Sequence, residues 1–219
     1  MYNLLKVIGV AEAQRDAFSA ALSDATERLP GATGRLVAPT LPGVFNGGDF
    51  IWRVSFANCA AADAAMASDA GQAIQALVAD KQAVVSLEEA DFATGHSCGA
   101  ADAVSGLYRV AMFCADRNPT PERLAAFSRD TRIMPDHVRT IQRWELSTPD
   151  RAAGTMPWTH IWEQEYADRG GLEGSYMLHP VHWAHVERWF DTEYPECLVS
   201  PQLVHTFCAL DRAILNQQA

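Results

Sequence analysis

The sequence has no surplus of basic residues: 17 Lys and Arg face 27 Asp and Glu, a formal net charge of −10 with a pI near 5.1. Phosphate backbones and anionic bilayers would repel such a surface, which argues against nucleic-acid and membrane partners. Cysteine is scarce and odd in number, with Cys59, Cys98, Cys114, Cys197 and Cys208 scattered and no C-x-x-C pair. Reduced thiols in a cytoplasm suit that pattern better than a disulfide scaffold. No apolar run reaches the roughly 18 residues that span a bilayer. The start, MYNLLKVIGV, lacks the basic n-region and long apolar core of a signal peptide. Also missing are a G-x-S-x-G elbow, a phosphate-binding G-x-x-x-x-G-K-[ST] loop and a G-x-G-x-x-G turn. The expectation is a soluble, cytoplasmic protein without nucleotide chemistry.

What is present is a pattern that occurs twice. YNLLKVIGV reads as a buried strand, and Ala11 to Leu29 carries apolar residues at helical spacing until Pro30-Gly31 stops it. GRLVAP, DFIWRVSF and QAVVSLEEADF read as strands, the last two separated by an alanine-rich helical stretch interrupted near Gly71. Residues 94–105 are small and polar and read as a linker. LYRVAMFCA, TPERLAAFSRD, HVRTIQRWELS, WTHIWEQEY, a helical histidine segment and QLVHTFCAL then repeat the order β-α-β-β-α-β. FIWRVSF (Phe50–Phe56) aligns with HIWEQEY (His160–Tyr166), sharing Ile-Trp and a final aromatic. A tandem duplication is the economical reading, with one repeat over residues 1–93 and another over 106–219.

The second repeat carries the chemistry. Period-two alternation along WTHIWEQEY puts Trp158, His160, Trp162, Gln164 and Tyr166 on one face, an aromatic wall for a flat ligand. A core strand with one satisfied histidine accounts for the same pattern. The opposite face carries Glu163, which aligns with Arg53, so a cross-repeat ion pair is expected. In YMLHPVHWAH a helix restarts at Pro180, with His179 in the capping role. His182 then shares an inward face with Val186 and Trp189. Helix start and burial both disfavour an imidazolium there, leaving His182 a neutral proton acceptor, with Tyr176 approaching from the other side. His179, His182 and His185 stand three apart, so each side chain turns −60° from the last, and no metal site is expected.

At THIWEQEY and YMLHPVH the chain resembles the stress-responsive A/B barrel family, through Thr159-His160 followed by Tyr176, His179, Pro180 and His182. The likeness covers Leu107 to about Leu210; in the first repeat Phe50 replaces His160 and no His-Pro-x-His follows. The resemblance implies an α+β fold of two ferredoxin-like β-α-β-β-α-β repeats packed as an intrachain α+β barrel, a pseudo-dimer that could pair again as a homodimer. Enzymatic members it resembles include a polyketide cyclase related to olivetolic acid cyclase. That likeness implies His182 as base, with Tyr176 and His160 at the substrate. A further pocket histidine of such enzymes falls here on Tyr108, or on Arg109 if the register slips by one.

The resulting expectation is a cofactor-independent lyase, cyclase or isomerase with aldol or retro-aldol chemistry on a small phenolic or polyketide-like substrate. His182, Tyr176 and His160 are its catalytic candidates. Trp144, Trp158, Trp162, Tyr166, Trp183 and Tyr108 are its substrate-stacking candidates. His179 and Pro180 shape the break, and His185 and His205 are left open. Two alternatives stand beside it. One is a non-catalytic ligand-binding stress protein. The other is an oxidoreductase, either cofactor-free or binding haem through His160, His182 or His205.

Overall fold

In the computed structural model, which describes residues 1–99 and 102–215, the two repeats form two five-stranded antiparallel sheets. The first repeat supplies β1 (Tyr2–Val10), β2 (Ala32–Pro39), β3 (Phe50–Phe56) and β4 (Val84–Ala93), with helices α1 (Arg15–Glu27), α2 (Cys59–Met66) and α3 (Asp69–Ala79). The alanine-rich stretch is two helices because Ser68 caps the second, accepting from the Gly71 N–H. After the short β5 (His96–Gly99), the second repeat supplies β6 (Leu107–Phe113), α4 (Pro121–Arg132), α5 (Met134–His137), β7 (Ile141–Ser147), β8 (Arg151–Ala153), β9 (His160–Tyr166) and β10 (Val204–Ala209). Its second helical region is irregular, with π-helical turns over Gly171–Tyr176 and His182–Val186 and a 3₁₀ turn over Glu187–Trp189.

The strand orders β2-β3-β1-β4-β8 and β10-β6-β9-β7-β5 give each repeat the ferredoxin-like arrangement plus one exchanged edge strand. The exchange departs from the sequence reading. Residues 94–105 are not a plain linker, since His96–Gly99 pairs with β7, and the loop TPDRAAGTMP contains β8, which pairs with β4 of the other repeat. Both pieces are short and polar and cap sheet edges that would otherwise expose free N–H and C=O groups.

The sheets face each other around a shared interior. Leu5, Val7, Ile51 and Phe92 of the first meet Tyr108, Val110, Met112, Ile161 and Val204 of the second. The opposite face of the first sheet, with Phe50, Trp52, Val54 and Phe56, packs on α1–α3. At the centre of the interior the Arg53 Nε donates to Glu163 Oε1 at 2.5 Å, both side chains being buried. The expected cross-repeat ion pair is therefore present. Tyr108 donates its hydroxyl to the same carboxylate at 2.6 Å, and Glu145 lies 4.0 Å from Arg53. Burial, then the neighbouring Glu163, pushes the Glu145 carboxyl up to about 7, so the charge shared between the two carboxyls beside Arg53 is reduced near neutral pH.

Removing one partner of a buried pair costs far more than the pair is worth net. Arg53→Met is expected to lower unfolding free energy by about 3–5 kcal/mol, and Arg53→Met with Glu163→Leu to recover most of it. Urea unfolding of the two variants checks this; equal losses would show that the pair does not organise the interior.

Candidate active site

On β6 the inward position of Tyr108 sends Arg109 to the opposite face, toward the helical layer. Arg109 is 5% exposed and donates from Nη1 to the Gln164 carbonyl oxygen at 2.8 Å. Its Nε has no partner, and among the described residues it makes no ion pair with a carboxylate. Its guanidinium lies 5.6 Å from the centre of the Tyr176 ring. The Tyr176 ring in turn stands edge-on to His182 at 5.1 Å and to Tyr166 at 6.1 Å. These groups border a cavity of about 200 Å3 lined also by Phe113, Val186, Glu187, Phe190, Leu203 and His205.

The break that positions His182 forms as its sequence demands. His179 Nδ1 accepts the Val181 N–H at 3.2 Å, and the helical path resumes at Pro180. The π-helical turn from His182 then brings Val186, Glu187 and Phe190 to the cavity, whereas Trp189 turns away and donates to Asp130 at 3.0 Å. His182 Nδ1 is buried without a hydrogen bond, 4.0 Å from the Glu187 carboxylate. Burial first, and then the positive Arg109, pulls the His182 imidazole down to about 4. His205, from β10, is pulled down to about 3 by burial, Arg109 and His182 in that order, and its Nε2 is likewise buried and unpartnered. At neutral pH the cavity therefore holds the Arg109 cation and two neutral imidazoles, with the more exposed Glu187 carboxylate also on its lining.

Several sequence expectations are corrected here. Tyr108 does not reach the cavity, because its hydroxyl is committed to Glu163 in the interior; Arg109, the shifted register, takes that place. Trp158 precedes β9, sits in the interior cluster and donates its indole N–H to Glu88 at 2.9 Å, so it does not share the His160 face. Trp183 and His185 are exposed, Trp183 by 58%. Trp144 stacks on Trp162 beside the cavity rather than lining it, and Tyr166 lies beneath Tyr176. His160 is buried but is not among the cavity's lining residues. Its Nδ1 is 2.9 Å from Thr159 Oγ1, its Nε2 is 3.3 Å from Ser128 Oγ, and Phe127 packs edge-on at 4.9 Å. It ties α4 to β9. Arg109 and His205 carry a mark visible in the sequence, a lone charged or polar ring in an otherwise apolar strand.

A larger groove of about 710 Å3 lies in the first repeat, along Leu4, Lys6, Met66, Leu87, Glu89 and Arg151. Most of its charges are paired: Lys6 pairs with Glu89, and Arg151 with Asp63 at 2.8 Å and Asp91 at 3.1 Å. Burial lowers the Lys6 ammonium to about 8. Unpaired buried groups, not volume, single out a site, and those lie in the second repeat. Among the described residues no cluster of three or more His, Cys, Asp or Glu side chains could hold a metal ion, and no helix is long and apolar enough to cross a membrane.

Residues 107–198 match the family model described as the stress responsive A/B barrel domain. Among curated proteins none matches the chain. Among solved structures, an anthrone oxidase-like protein superposes with a TM-score of 0.70 at 11% identity, covering 95% of this chain and 90% of that one. A protein of Lactobacillus acidophilus NCFM, provisionally described as a monooxygenase, gives 0.56 at 13% identity over 96% and 99% of the two chains. A chlorite dismutase mutant from Candidatus Nitrospira defluvii gives 0.55 at 12% over 95% and 90%. At such identities these likenesses establish the two-repeat fold.

Three histidines with depressed pKa values make stability depend on pH with a definite sign. An unfolded histidine takes up its proton near 6.5, whereas His160 and His182 wait until about 4 and His205 until about 3. Below 6.5 the unfolded chain therefore binds more protons, and unfolding free energy is expected to fall as pH drops from 6.5 toward 4. His160→Asn should flatten that slope by about one proton in urea titrations run across the window. An unchanged slope would mean that His160 is protonated as readily in the folded protein.

Proposed function

We propose that the chain is an enzyme that removes a proton from a small phenolic or polyketide-like substrate without a cofactor, a reading supported by the match of residues 107–198 to the stress responsive A/B barrel domain and by a cavity that sets a cation without an ion pair beside a neutral imidazole. The observation that carries this reading is Arg109. A buried guanidinium is costly unless something compensates its charge, and among the described residues no carboxylate does. Its natural complement is an anion that arrives with, or forms on, a ligand.

The chemistry follows from that complement. His182 takes a proton from an acidic C–H or O–H of the substrate, and the electron pair left behind moves onto a conjugated oxygen. Arg109 faces that oxyanion, and preorganised positive charge in a water-poor site is worth most where charge develops. Tyr176, stacked between Arg109 and His182, holds the flat substrate against the cavity wall. The resulting carbanion can attack a carbonyl within the same molecule, closing a ring, while the reverse sequence cleaves a C–C bond. Cyclase and lyase thus share one first step.

A second fate is open to the carbanion. The carbanion could instead transfer electrons to dioxygen as co-reactant, a reading favoured by the whole-chain likeness to a protein described as anthrone oxidase-like. Haem does not fit these residues. The cavity, about 200 Å3, suits a compact ligand rather than a macrocycle as large as haem, and both nitrogens of His160 are engaged.

The test is turnover of phenolic and polyketide-like compounds by wild type, His182→Ala and Arg109→Met, followed by mass with and without dioxygen. His182→Ala is expected to lose about 100- to 10,000-fold in kcat, and Arg109→Met about 100- to 1,000-fold. A gain of oxygen atoms only under air selects the oxidative fate. Wild-type turnover in folded His182→Ala would end the acid–base reading. Ligand binding without turnover in any variant would leave a binding protein.

A further inference from the structure

His205 is the polar group of the cavity that the proton-abstraction scheme leaves unused. It sits on β10, opposite Ala111 of β6, with Phe207 opposite Arg109. Its side chain therefore enters the cavity from the sheet, on the strand beside Arg109, while His182 enters from the helical layer above. Phe113, Phe190 and Leu203 line the same space, so a ligand there would exchange water for apolar walls and few hydrogen bonds. Under those conditions an unpartnered ring nitrogen is costly in the empty cavity and valuable once a partner arrives.

The backbone around His205 is held unusually firmly, and by the other repeat. Its N–H donates to the Phe45 carbonyl at 2.9 Å, and its carbonyl accepts the Phe45 N–H at 2.8 Å. Leu41 donates to the Phe207 carbonyl at 3.0 Å, Thr206 Oγ1 to the Gly47 carbonyl at 3.0 Å, and Asn46 Nδ2 to the Leu203 carbonyl at 3.0 Å. The loop that makes these contacts is itself constrained. Gly48 has φ +60°, and a Cβ there would come within 2.7 Å of the Ile8 backbone. β10 is thus clamped between β6 and a loop of the first repeat, which fixes the position of the His205 side chain. Such support is what a group needs to hold a reacting atom in place.

Resting on the reading of His182 as the base, we propose that His205 is a second catalytic residue, whose neutral imidazole donates its Nε2–H to the substrate oxygen facing Arg109. The substrate class becomes narrower: a compact compound with an acidic C–H conjugated to a carbonyl. The C–H bond breaks, its proton goes to His182, and the electron pair becomes the C–O⁻ of an enolate. That enolate oxygen is held between the Arg109 cation and the His205 N–H. When the enolate carbon is reprotonated or attacks a carbonyl, the pair returns and His205 keeps its proton throughout. A neutral imidazole is the proper donor for this task, because it polarises the carbonyl without surrendering a proton. The depressed proton affinity of His205 agrees with that protonation state.

The probe is 4-nitrophenol, a single-ring phenol whose yellow anion mimics the enolate oxygen. It would be titrated at one near-neutral pH into the full-length wild type, His205→Ala, His205→Gln, Arg109→Met and His182→Ala, each first checked by urea unfolding. Wild type is expected to bind the phenolate and to increase its absorbance. His205→Ala should weaken phenolate binding about 10- to 100-fold, His205→Gln should restore part of it through its amide N–H, and His182→Ala should bind within a few-fold of wild type. Phenolate binding that is equal in wild type and folded His205→Ala overturns the proposal, as does no phenolate binding by wild type. The two readings separate cleanly. His205-dependent binding with turnover indifferent to His182 leaves the oxyanion site and removes the base. Turnover that needs His182 with binding indifferent to His205 does the reverse.

Discussion

The contact on which this structure turns is the buried ion pair between Arg53 and Glu163. It joins the third strands of the two repeats at matched positions, and it lies inside the space between the sheets. Because side chains alternate along a strand, fixing Glu163 inward sends His160, Trp162, Gln164 and Tyr166 outward. The Tyr108 hydroxyl bound to the same carboxylate does the same for β6, turning Arg109 outward. Slipping either strand by one residue would bury the outward set in the interior and strand the ion pair among helices. One pair thus sets the register of both central strands of the second sheet. It also decides which cation faces the cavity.

From that shared frame the repeats diverge. The outward face of β3 is Phe50, Trp52, Val54 and Phe56, which pack against α1, α2 and α3 with the Trp52 indole N–H satisfied by Thr26 Oγ1 at 2.8 Å. The matched face of β9 is mixed, and the Trp162 indole N–H, the Gln164 amide nitrogen and the Tyr166 hydroxyl there lack partners. The helical cover differs as well. Regular helices close over the first sheet, whereas π-helical turns at Gly171–Tyr176 and His182–Val186 cover the second. A π turn widens the backbone and shifts the side-chain phase, which leaves room beside Tyr176 and redirects Trp189. The two halves each supply a sheet, and local irregularity opens a cavity over one of them.

The same physics explains what could be read from the sequence. The twice-repeated β-α-β-β-α-β order and the helix restart at Pro180 follow from periodicity and local backbone rules, the Arg53–Glu163 pairing is suggested by aligning two strands, and the structure contains each. Tyr108 and Arg109 could not be told apart, because every residue of LYRVAMF is buried and a strand covered on both faces loses its alternation. The period of β9 does not extend back to Trp158, because the chain between Pro157 and His160 does not follow the strand. β5 and β8 have no pattern at all, since an edge strand of three or four polar residues is specified by the open edge it meets. His205 was visible as a lone imidazole in VHTFCA, but its partner in space, Arg109, lies on a strand almost a hundred residues earlier.

In the proposed reaction, one property of the cavity opposes catalysis only in the resting state. An imidazole held near 4 is a weak base at neutral pH. Burial is the first cause and the Arg109 charge the second, and the second is conditional. An oxyanion set against Arg109 cancels much of the field that His182 feels, and it adds a favourable charge for an imidazolium. Proton affinity at His182 and negative charge on the substrate oxygen therefore rise together, so the base strengthens as the proton moves toward it. This coupling requires that Arg109 have no resident carboxylate, for a permanent partner would cancel the field beforehand and leave nothing for the substrate to change. On the proposed reading, an acidic protein that leaves one buried arginine without an ion-paired carboxylate among the described residues is organised for that conditional charge.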